Sequence, residues 1–213
     1  MASGRVSPAA ALTYGLVLGA LAFAILAVGV NLLAAVLSLS GFLGYVLVYT
    51  VWLKRTTPQN IVIGGAAGAV PSLVGWAATT GSLSWTALYL FAIVFYWTPP
   101  HFWALSLLMK DEYARAGVPM MPVVRGEHET RRQILLYSIL LLAVSVLPFA
   151  GQLFDGAYFI AALALGALFI VFAAQLWRRG DGPSGRRLAL RVYLYSLAYL
   201  ALLFSAMVAD VKL

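Results

Sequence analysis

No aspartate, glutamate, lysine or arginine occurs between positions 6 and 53. As a single helix this run would be about 70 Å long at ~1.5 Å per residue. The hydrocarbon core of a bilayer is only about 30 Å thick, so the run must hold two membrane-spanning helices, and we expect the turn between them near Asn31. Further apolar runs follow at 56–109, 133–154, 156–177 and about 188–209. Because the run at 56–109 also holds two helices, divided near 79–84, the sequence predicts seven spans.

The composition agrees with a membrane protein. Of the 213 residues, 63% are hydrophobic and 10% are charged, whereas a soluble domain is about one quarter charged. The chain has no cysteine, which excludes a disulfide framework, a thiolate nucleophile and a cysteine-based zinc site. We therefore predict an all-α polytopic membrane protein with a single membrane-embedded domain over residues 1–213.

The cations lie almost entirely on one side of the predicted spans. With the N-terminus inside, the inner side carries Arg5, Lys54, Arg55, Lys110, Arg115, Arg125, Arg131, Arg132, Arg178, Arg179, Arg186, Arg187 and Arg191, and the outer side carries only Lys212, with Asp155 and Asp210. This is the positive-inside pattern, so the net charge of +7 indicates topology and not nucleic-acid binding. We expect the C-terminus outside, and functional inner loops at about 54–60, 110–132 and 178–187.

The inner segment LKRTTPQN, at 53–60, concentrates polar groups between two apolar runs. Pro58 suits the first turn of the following helix, with Thr57 as its N-cap. A helix N-terminus flanked by Lys54 and Arg55 is an anion site whose usual guest is phosphate, and Asn60 adds an amide that needs a partner. A capped helix whose cations only snorkel to the interface is the other interpretation.

The glycines that follow indicate close helix packing. Gly64 and Gly68 form a GxxxG pair, which lets another helix approach the backbone. Pro71 leaves a carbonyl without its helical partner, and this indicates a bend that lines a cavity.

The segment WTPPHFW interrupts the next span with a double proline. We expect Pro99 and Pro100 to break the helix, with Thr98 capping a new half-helix that lines a cavity. His101 then lies about 15 Å deeper in the bundle than Asp111. It is either a neutral histidine hydrogen-bonded to a neighbouring helix or a contact to iron or substrate. The aromatic residues of this region are either core and lipid-facing residues or the wall of an isoprenoid channel; they include Trp97, Phe102 and Trp103.

Carboxylates are scarce on the inner side. One interpretation of Asp111 involves no ligand, because Arg115 at i+4 is well placed to form a surface ion pair with it. If the inner end binds Mg²⁺ together with a phosphate ester, Asp111 is the carboxylate nearest to the membrane wall. Tyr113, Lys110 and Arg125 are then placed to contact the same anion.

Three motifs together carry a family resemblance: LKRTTPQNIVIGGAAGAVPSLVGWA, WTPPHFWAL and DEYARAGVPMMPVV. They resemble the signatures of the haem O synthases, the protohaem IX farnesyltransferases of the UbiA-type intramembrane prenyltransferases. The similarity extends from the N-terminus to about Arg132, and the histidine after the double proline distinguishes this subgroup from quinone and chlorophyll prenyltransferases. The resemblance implies nine transmembrane helices around a cavity that opens to the cytoplasm, in a bacterial inner membrane.

The resemblance also implies a reaction and a set of site residues. A farnesyl group moves from farnesyl diphosphate to a vinyl group of haem b, the substrate, with Mg²⁺ bound to the diphosphate. By resemblance Lys54 and Arg55 hold the diphosphate, Asp111 and Tyr113 belong to the metal–diphosphate site, and His101 contacts haem. We therefore expect the diphosphate to be bound by Lys54, Arg55, Thr57, Asn60, Lys110 and Arg125. We expect Asp111 and Tyr113 to be catalytic, with Asp111 also the metal ligand, and haem or substrate to be bound by His101, Trp97, Phe102 and Trp103. The expected partners are both substrates, the lipid bilayer, and haem A synthase or terminal oxidase assembly factors.

One departure from the family affects the expected activity. The family carries an asparagine–aspartate-rich motif between its first two helices, and nothing in this chain resembles it. The chain therefore looks like a nine-helix prenyltransferase domain without its first two helices, and we expect it to be inactive or nearly so by itself, because half of the carboxylate set is absent. Two alternatives stay open: a quinone-type prenyltransferase, and a non-catalytic membrane protein that carries haem or assists oxidase assembly.

Overall fold

The computed structural model describes residues 7–182 and 184–210, and all regular secondary structure within them is helical. The helices are α1 (Pro8–Gly29), α2 (Leu32–Leu43), α3 (Asn60–Thr80), α4 (Trp85–Leu108), α5 (Lys110–Arg115), α6 (Met121–Val124), α7 (Gly126–Ala150), α8 (Gly156–Arg179) and α9 (Gly185–Asp210). Helix α2 continues through a π-helical segment, Gly44–Trp52, and a 3₁₀ turn, Leu53–Arg55. The prediction of an all-α membrane protein is confirmed, and two of the charges used for topology, Arg5 and Lys212, lie outside the described residues.

Seven of the described segments have the length of a membrane span: α1, α2 with its continuation, α3, α4, α7, α8 and α9. Six of them are also apolar enough to cross a membrane by length and composition. The seventh, α4, falls short in hydropathy because it contains two prolines, a histidine and several tryptophan and tyrosine residues. It packs against three other spans, α3, α7 and α9.

The core lies along α4, α7, α8 and α9. Its largest buried side chains are Trp103, Tyr158, Tyr199 and Phe169. Within the described residues α1 packs only against α2, and α2 packs in turn against α3. Because the core lies mainly on one side of α4, the opposite side of this helix is available to form a cavity with α2 and α3.

The turn predicted near Asn31 is confirmed. Asn31 separates α1 from α2, and its side-chain oxygen accepts a hydrogen bond of 2.8 Å from the Ala34 amide at the start of α2. Its amide nitrogen donates to the Ala77 carbonyl oxygen at 2.8 Å, near the end of α3. One side chain therefore begins a helix and joins two spans at the end of the bundle opposite the 53–60 segment.

The predicted helix break at the double proline is wrong. Helix α4 runs continuously through Pro99 and Pro100, and both are buried by the neighbouring helices. Thr98 does not cap a new helix; its hydroxyl donates to the Val94 carbonyl within α4 at 2.8 Å. Protein packing around α4 offsets the lost backbone hydrogen bonds, as is known for prolines in membrane helices.

The predicted start of α3 is also wrong, by two residues. Gln59, and not Thr57, precedes the first helical residue, and Pro58 lies in the turn before the helix. The Thr57 hydroxyl still accepts a hydrogen bond from the Gln59 amide, at 3.2 Å. The polar segment is therefore a compact turn that leads into α3.

Candidate functional site

A cavity of about 340 Å³ opens between α2, α3 and α4. Its lining residues are Tyr45, Tyr49, Lys54, Ile61, Gly64, Gly65, Gly68, Thr98, Phe102, Tyr113 and Met120. The wall is mostly apolar, with tyrosine and threonine hydroxyls and one cation. A largely apolar pocket with a few polar groups at one end fits an amphiphilic ligand with an anionic head and a hydrocarbon tail.

The glycines of α3 create the space for this cavity. A methyl group built on Gly64 would lie 2.3 Å from the Tyr49 ring, and one on Gly65 would lie 3.1 Å from the Thr98 side chain. A methyl group on Gly68 would meet nothing within 4 Å. Gly64 and Gly65 therefore permit close contact with α2 and α4, while Gly68 faces open space, so only the first glycine of the GxxxG pair serves helix packing.

Lys54 and Tyr113 bring polar chemistry to the inner end of the cavity. Lys54 lies in the 3₁₀ turn that ends the second span, and Tyr113 lies on the short helix α5. Burial raises the pKa of the Tyr113 hydroxyl above its ordinary value near 10. The phenol therefore stays protonated at neutral pH and adds a hydrogen-bond donor to a cavity that Lys54 also lines.

The other residues proposed to hold an anion are not among those that line the cavity. Asn60 is fully buried, and its amide nitrogen donates to the Lys54 carbonyl at 3.5 Å. Its side-chain oxygen has no hydrogen-bond partner among the described residues. Arg55 and Arg125 are exposed, and Thr57 is half-buried. Lys110 does not line the cavity: its Nζ is 2.9 Å from Glu127 Oε1 on α7.

Asp111 is exposed on α5, and the predicted ion pair with Arg115 is absent. Arg115 instead pairs with Glu112 at 3.8 Å and donates from Nε to the Asp111 backbone carbonyl at 3.3 Å. The Asp111 carboxylate has no cation within 4.0 Å among residues 7–182 and 184–210. It is therefore free to face a ligand or an ion.

The described residues do not by themselves fit a magnesium ion. No group of three histidine, cysteine, aspartate or glutamate side chains in the described ranges could hold a metal. Glu112, Glu127 and Asp181 are engaged with cations, so they are poor candidates for a shared site with Asp111. A complete Mg²⁺ shell needs oxygen ligands beyond those that this end of the bundle offers.

The four residues expected to contact haem do not share one face of α4. Phe102 lines the cavity, whereas Trp103 is buried on another side, with its ring edge-on to Tyr137 of α7 at 5.2 Å. His101 and Trp97 face α9: His101 Nδ1 lies 2.6 Å from Ser196 Oγ, and Trp97 Nε1 donates to the Ser196 carbonyl at 2.7 Å. The structure therefore separates a cavity on the α3 side from a histidine site on the α9 side.

Ion pairs join the inner loops beside the cavity. Arg131 on α7, whose side chain is only 3% exposed, binds Asp181 in the α8–α9 loop and lies 3.7 Å from Glu127. Lys110 contacts the other oxygen of Glu127. We call Lys110, Glu127, Arg131 and Asp181 the ionic brace. It links the 110–132 and 178–187 segments at one end of the bundle.

Sequence reasoning missed several residues of these two sites. Tyr45 and Tyr49 line the cavity, and their i,i+4 spacing within an apolar run was the available signal. Ser196 and Tyr193 contact His101 from α9. Nothing in the sequence pairs the last helix with the double-proline segment, because their contact depends on tertiary packing.

Curated relatives match nearly the whole chain. A protoheme IX farnesyltransferase of Roseiflexus castenholzii is 57% identical over 208 residues, covering 98% of this chain and 38% of the relative. Enzymes of the same name from a Picosynechococcus species and from Hahella chejuensis are 54% and 51% identical, and the matches cover 65% and 68% of their lengths. The chain thus spans well under half of the first relative and about two thirds of the others.

The fold also matches a solved structure from work on digeranylgeranylglyceryl phosphate synthase in membranes. The TM-score is 0.75 at 18% identity, and the match covers 99% of this chain and 72% of the other. At this identity the likeness concerns the fold alone. The model of the UbiA prenyltransferase family matches residues 1–207. The chain is a multi-pass integral membrane protein and belongs to the UbiA prenyltransferase family.

Proposed function

We propose that this chain forms the prenyl-diphosphate cavity and the haem-facing helices of a protohaem IX farnesyltransferase. The observation that carries the proposal is the cavity itself, which is mostly apolar along α3 and α4 and is also lined by Lys54 and Tyr113 from the inner segments. Relatives of that name, 50–57% identical to this chain, support the choice of substrates.

In this proposal farnesyl diphosphate binds with its tail along the glycines of α3 and its head at the inner end. Lys54 contributes positive charge to the diphosphate, and the protonated hydroxyl of Tyr113 donates a hydrogen bond to one of its oxygens. Arg55 and Arg125, exposed nearby, add a positive field that attracts the anion. Asn60 supports the Lys54 turn from below.

The reaction begins with cleavage of the bond between farnesyl C1 and the diphosphate oxygen. The electron pair leaves with the diphosphate, and Lys54 and Tyr113 stabilise the charge that develops there. The aromatic faces of Tyr45, Tyr49 and Phe102 stabilise the allylic cation. The vinyl group of haem b attacks farnesyl C1, water adds to the resulting cation, and loss of one proton leaves the hydroxyethylfarnesyl group of haem O.

Asp111 supplies one free carboxylate at the inner end. A Mg²⁺ ion bound with the diphosphate would add charge neutralisation of the leaving group. Because the described residues do not complete such a site, we propose that the 213-residue chain alone transfers farnesyl slowly or not at all.

We propose haem b, and not a quinone precursor, as the prenyl acceptor. His101 on α4 supports this choice, because a half-buried neutral histidine is a common iron ligand. His101→Ala should weaken haem binding. In a quinone prenyltransferase, which binds no haem, the same substitution would have no effect on haem binding. We propose that the product of this reaction, haem O, passes to a haem A synthase or to oxidase assembly factors.

We further propose that the cavity opens toward the cytoplasm of a bacterial inner membrane, with the N-terminus inside and the C-terminus outside. The support is the distribution of charge. Lys54, Arg55, Arg178 and Arg179 lie at the end of the bundle that carries the ionic brace, whereas Asp155 and Asp210 meet at the other end.

Product analysis tests the proposed function. Protein purified from its native membrane should convert farnesyl diphosphate and haem b into a product with the mass of haem b plus one farnesyl group and one hydroxyl group. The recombinant 213-residue chain, tested in parallel, should give little or none. Prenylation of a quinone precursor, or no product from a preparation that binds both substrates, would contradict the proposal.

A further inference from the structure

His101 is held on three sides by α4 and α9. Its ring stacks on Trp97 with centroids 4.2 Å apart and on Tyr193 with centroids 4.9 Å apart. Ser196, fully buried, lies 2.6 Å from Nδ1 through its Oγ. Two aromatic faces and one hydrogen bond therefore fix both the plane of the imidazole and its rotation.

The hydrogen bonds of Ser196 decide which nitrogen of His101 carries the proton. The Ser196 hydroxyl donates its hydrogen to the Tyr193 carbonyl at 2.5 Å, because a carbonyl can only accept. The serine oxygen has no second hydrogen to give, so it accepts in its contact with the histidine. Nδ1 of His101 must therefore be the protonated nitrogen, and Nε2 carries the lone pair.

The structure leaves that lone pair unused. Nε2 of His101 has no hydrogen-bond partner among residues 7–182 and 184–210, and the side chain is only half-buried. A neutral imidazole with a protonated, hydrogen-bonded Nδ1 and a free Nε2 is the arrangement in which histidine binds metals, and the partner of Nδ1 sets the orientation of the ring.

We propose that Ser196 is a positioning residue that, with Trp97 and Tyr193, holds His101 so that its Nε2 binds the iron of haem b. The inference rests on the proposed function, since it takes haem b as the acceptor. It adds a role for α9, which contributes nothing to the cavity on the α3 side of α4. Ser196 acts only through His101.

The ligand-free protein provides the first test. The chain contains two histidines, so ¹⁵N-histidine labelling gives two rings, and His128→Gln assigns them. At about pH 8, above the ordinary histidine pKa, His101 should show a protonated Nδ1 and an unprotonated Nε2. Ser196→Ala should produce a mixture of tautomers, while Ser196→Thr should retain the wild-type pattern.

Ser138→Ala is the matched control, because Ser138 is equally buried and donates to a carbonyl of its own helix, Ile134, at 2.8 Å. It should leave the spectrum unchanged. A protonated Nε2 in the wild type, or a Ser196→Ala spectrum identical to the wild type in a variant with normal helix content, would overturn the proposal.

Haem binding provides the second test and separates this proposal from the proposed function. Haem b is titrated into the chain in lipid nanodiscs, and the iron–histidine stretching band is recorded by resonance Raman spectroscopy. His101→Ala should abolish the band. Ser196→Ala should lower its frequency and weaken haem affinity about tenfold or more, and Ser196→Thr should restore both.

Three results would overturn the role of Ser196. If His101→Ala abolishes the band while Ser196→Ala matches the wild type, His101 is a ligand that needs no serine, and the proposed function stands. If the band survives in His101→Ala, another residue binds the iron. If wild-type protein with the expected tautomer does not bind haem b, the acceptor in the proposed function is wrong as well.

Discussion

Tyr113 combines two properties: it lines the same cavity as Lys54, and burial raises the pKa of its hydroxyl. Tyr113→Phe should therefore weaken farnesyl diphosphate binding about tenfold or more, because it removes one hydrogen bond to an anion. Binding of farnesol, which has no diphosphate, should not change. Equal losses for both ligands would assign Tyr113 to the apolar wall instead.

The same residue yields a prediction about pH. A raised pKa means that the neutral phenol, the donor form, persists to higher pH than in an exposed tyrosine. The ratio of wild-type to Tyr113→Phe affinity should therefore stay constant from about pH 7 to 9 and fall only above about pH 10. Calorimetric titrations of both proteins across this range measure the ratio, and a fall below pH 9 would contradict a buried donor.

At the scale of single residues, the side of α4 that each side chain faces could not be predicted from the sequence. Lys54, Tyr113 and Phe102 line one cavity, and their roles in substrate binding stay predictions. His101 and Phe102 are neighbours in sequence, yet about 100° of helical rotation per residue turns them to different sides of α4. Lys110 lies outside this cavity, and its ammonium group pairs with Glu127 of α7, 17 residues later in the sequence.

At the scale of the helix, the glycine pair of α3 offers a matched comparison. Gly64→Ala should destabilise the protein by about 1–3 kcal/mol, because its methyl group would lie 2.3 Å from the Tyr49 ring. Gly68→Ala, one turn away, meets nothing within 4 Å and should have little effect on stability. Any gain in helix propensity is the same for both variants.

Unfolding of both variants in detergent micelles checks this prediction. Equal stability would mean that α2 and α3 are not in close contact at Gly64. The comparison also tests the shape of the cavity, because a methyl group on Gly68 would occupy the space proposed for the farnesyl tail. Gly68→Ala should therefore weaken farnesyl diphosphate binding without weakening the fold.

The elements themselves were largely predictable, and their irregularities were not. Charge-free runs longer than one bilayer crossing set the number of spans, and Asn31 marked a turn because its side chain caps a helix. The continuity of α4 through Pro99 and Pro100 could not be predicted from the local sequence, because it depends on the packing of three neighbouring helices. The π-helical segment before Lys54 likewise has no signal in the apolar run that contains it.

At the scale of the whole molecule, the ionic brace should contribute to stability through its one buried member. Arg131→Ala should destabilise the protein by about 2–3 kcal/mol, less than for a fully buried pair because Glu127 and Asp181 return to water. Arg132→Ala, which removes an exposed arginine paired with Glu129 at 3.2 Å, should cost under about 1 kcal/mol.

Unfolding in detergent micelles measures both arginine variants. Similar losses for the two would show that the contacts between the inner loops do not stabilise the bundle. Arg131→Ala should also leave farnesyl diphosphate binding nearly unchanged, because Arg131 does not line the cavity between α2, α3 and α4.

The most direct test of the account is the affinity of the chain for farnesyl diphosphate when Lys54 is changed. Lys54→Met should weaken binding at least tenfold, since a charge-assisted contact is worth about 1.5–3 kcal/mol. Arg187→Met, which removes an exposed cation from α9, should bind as the wild type does. Calorimetry in nanodiscs that shows equal affinity for all three proteins would contradict a diphosphate site at Lys54.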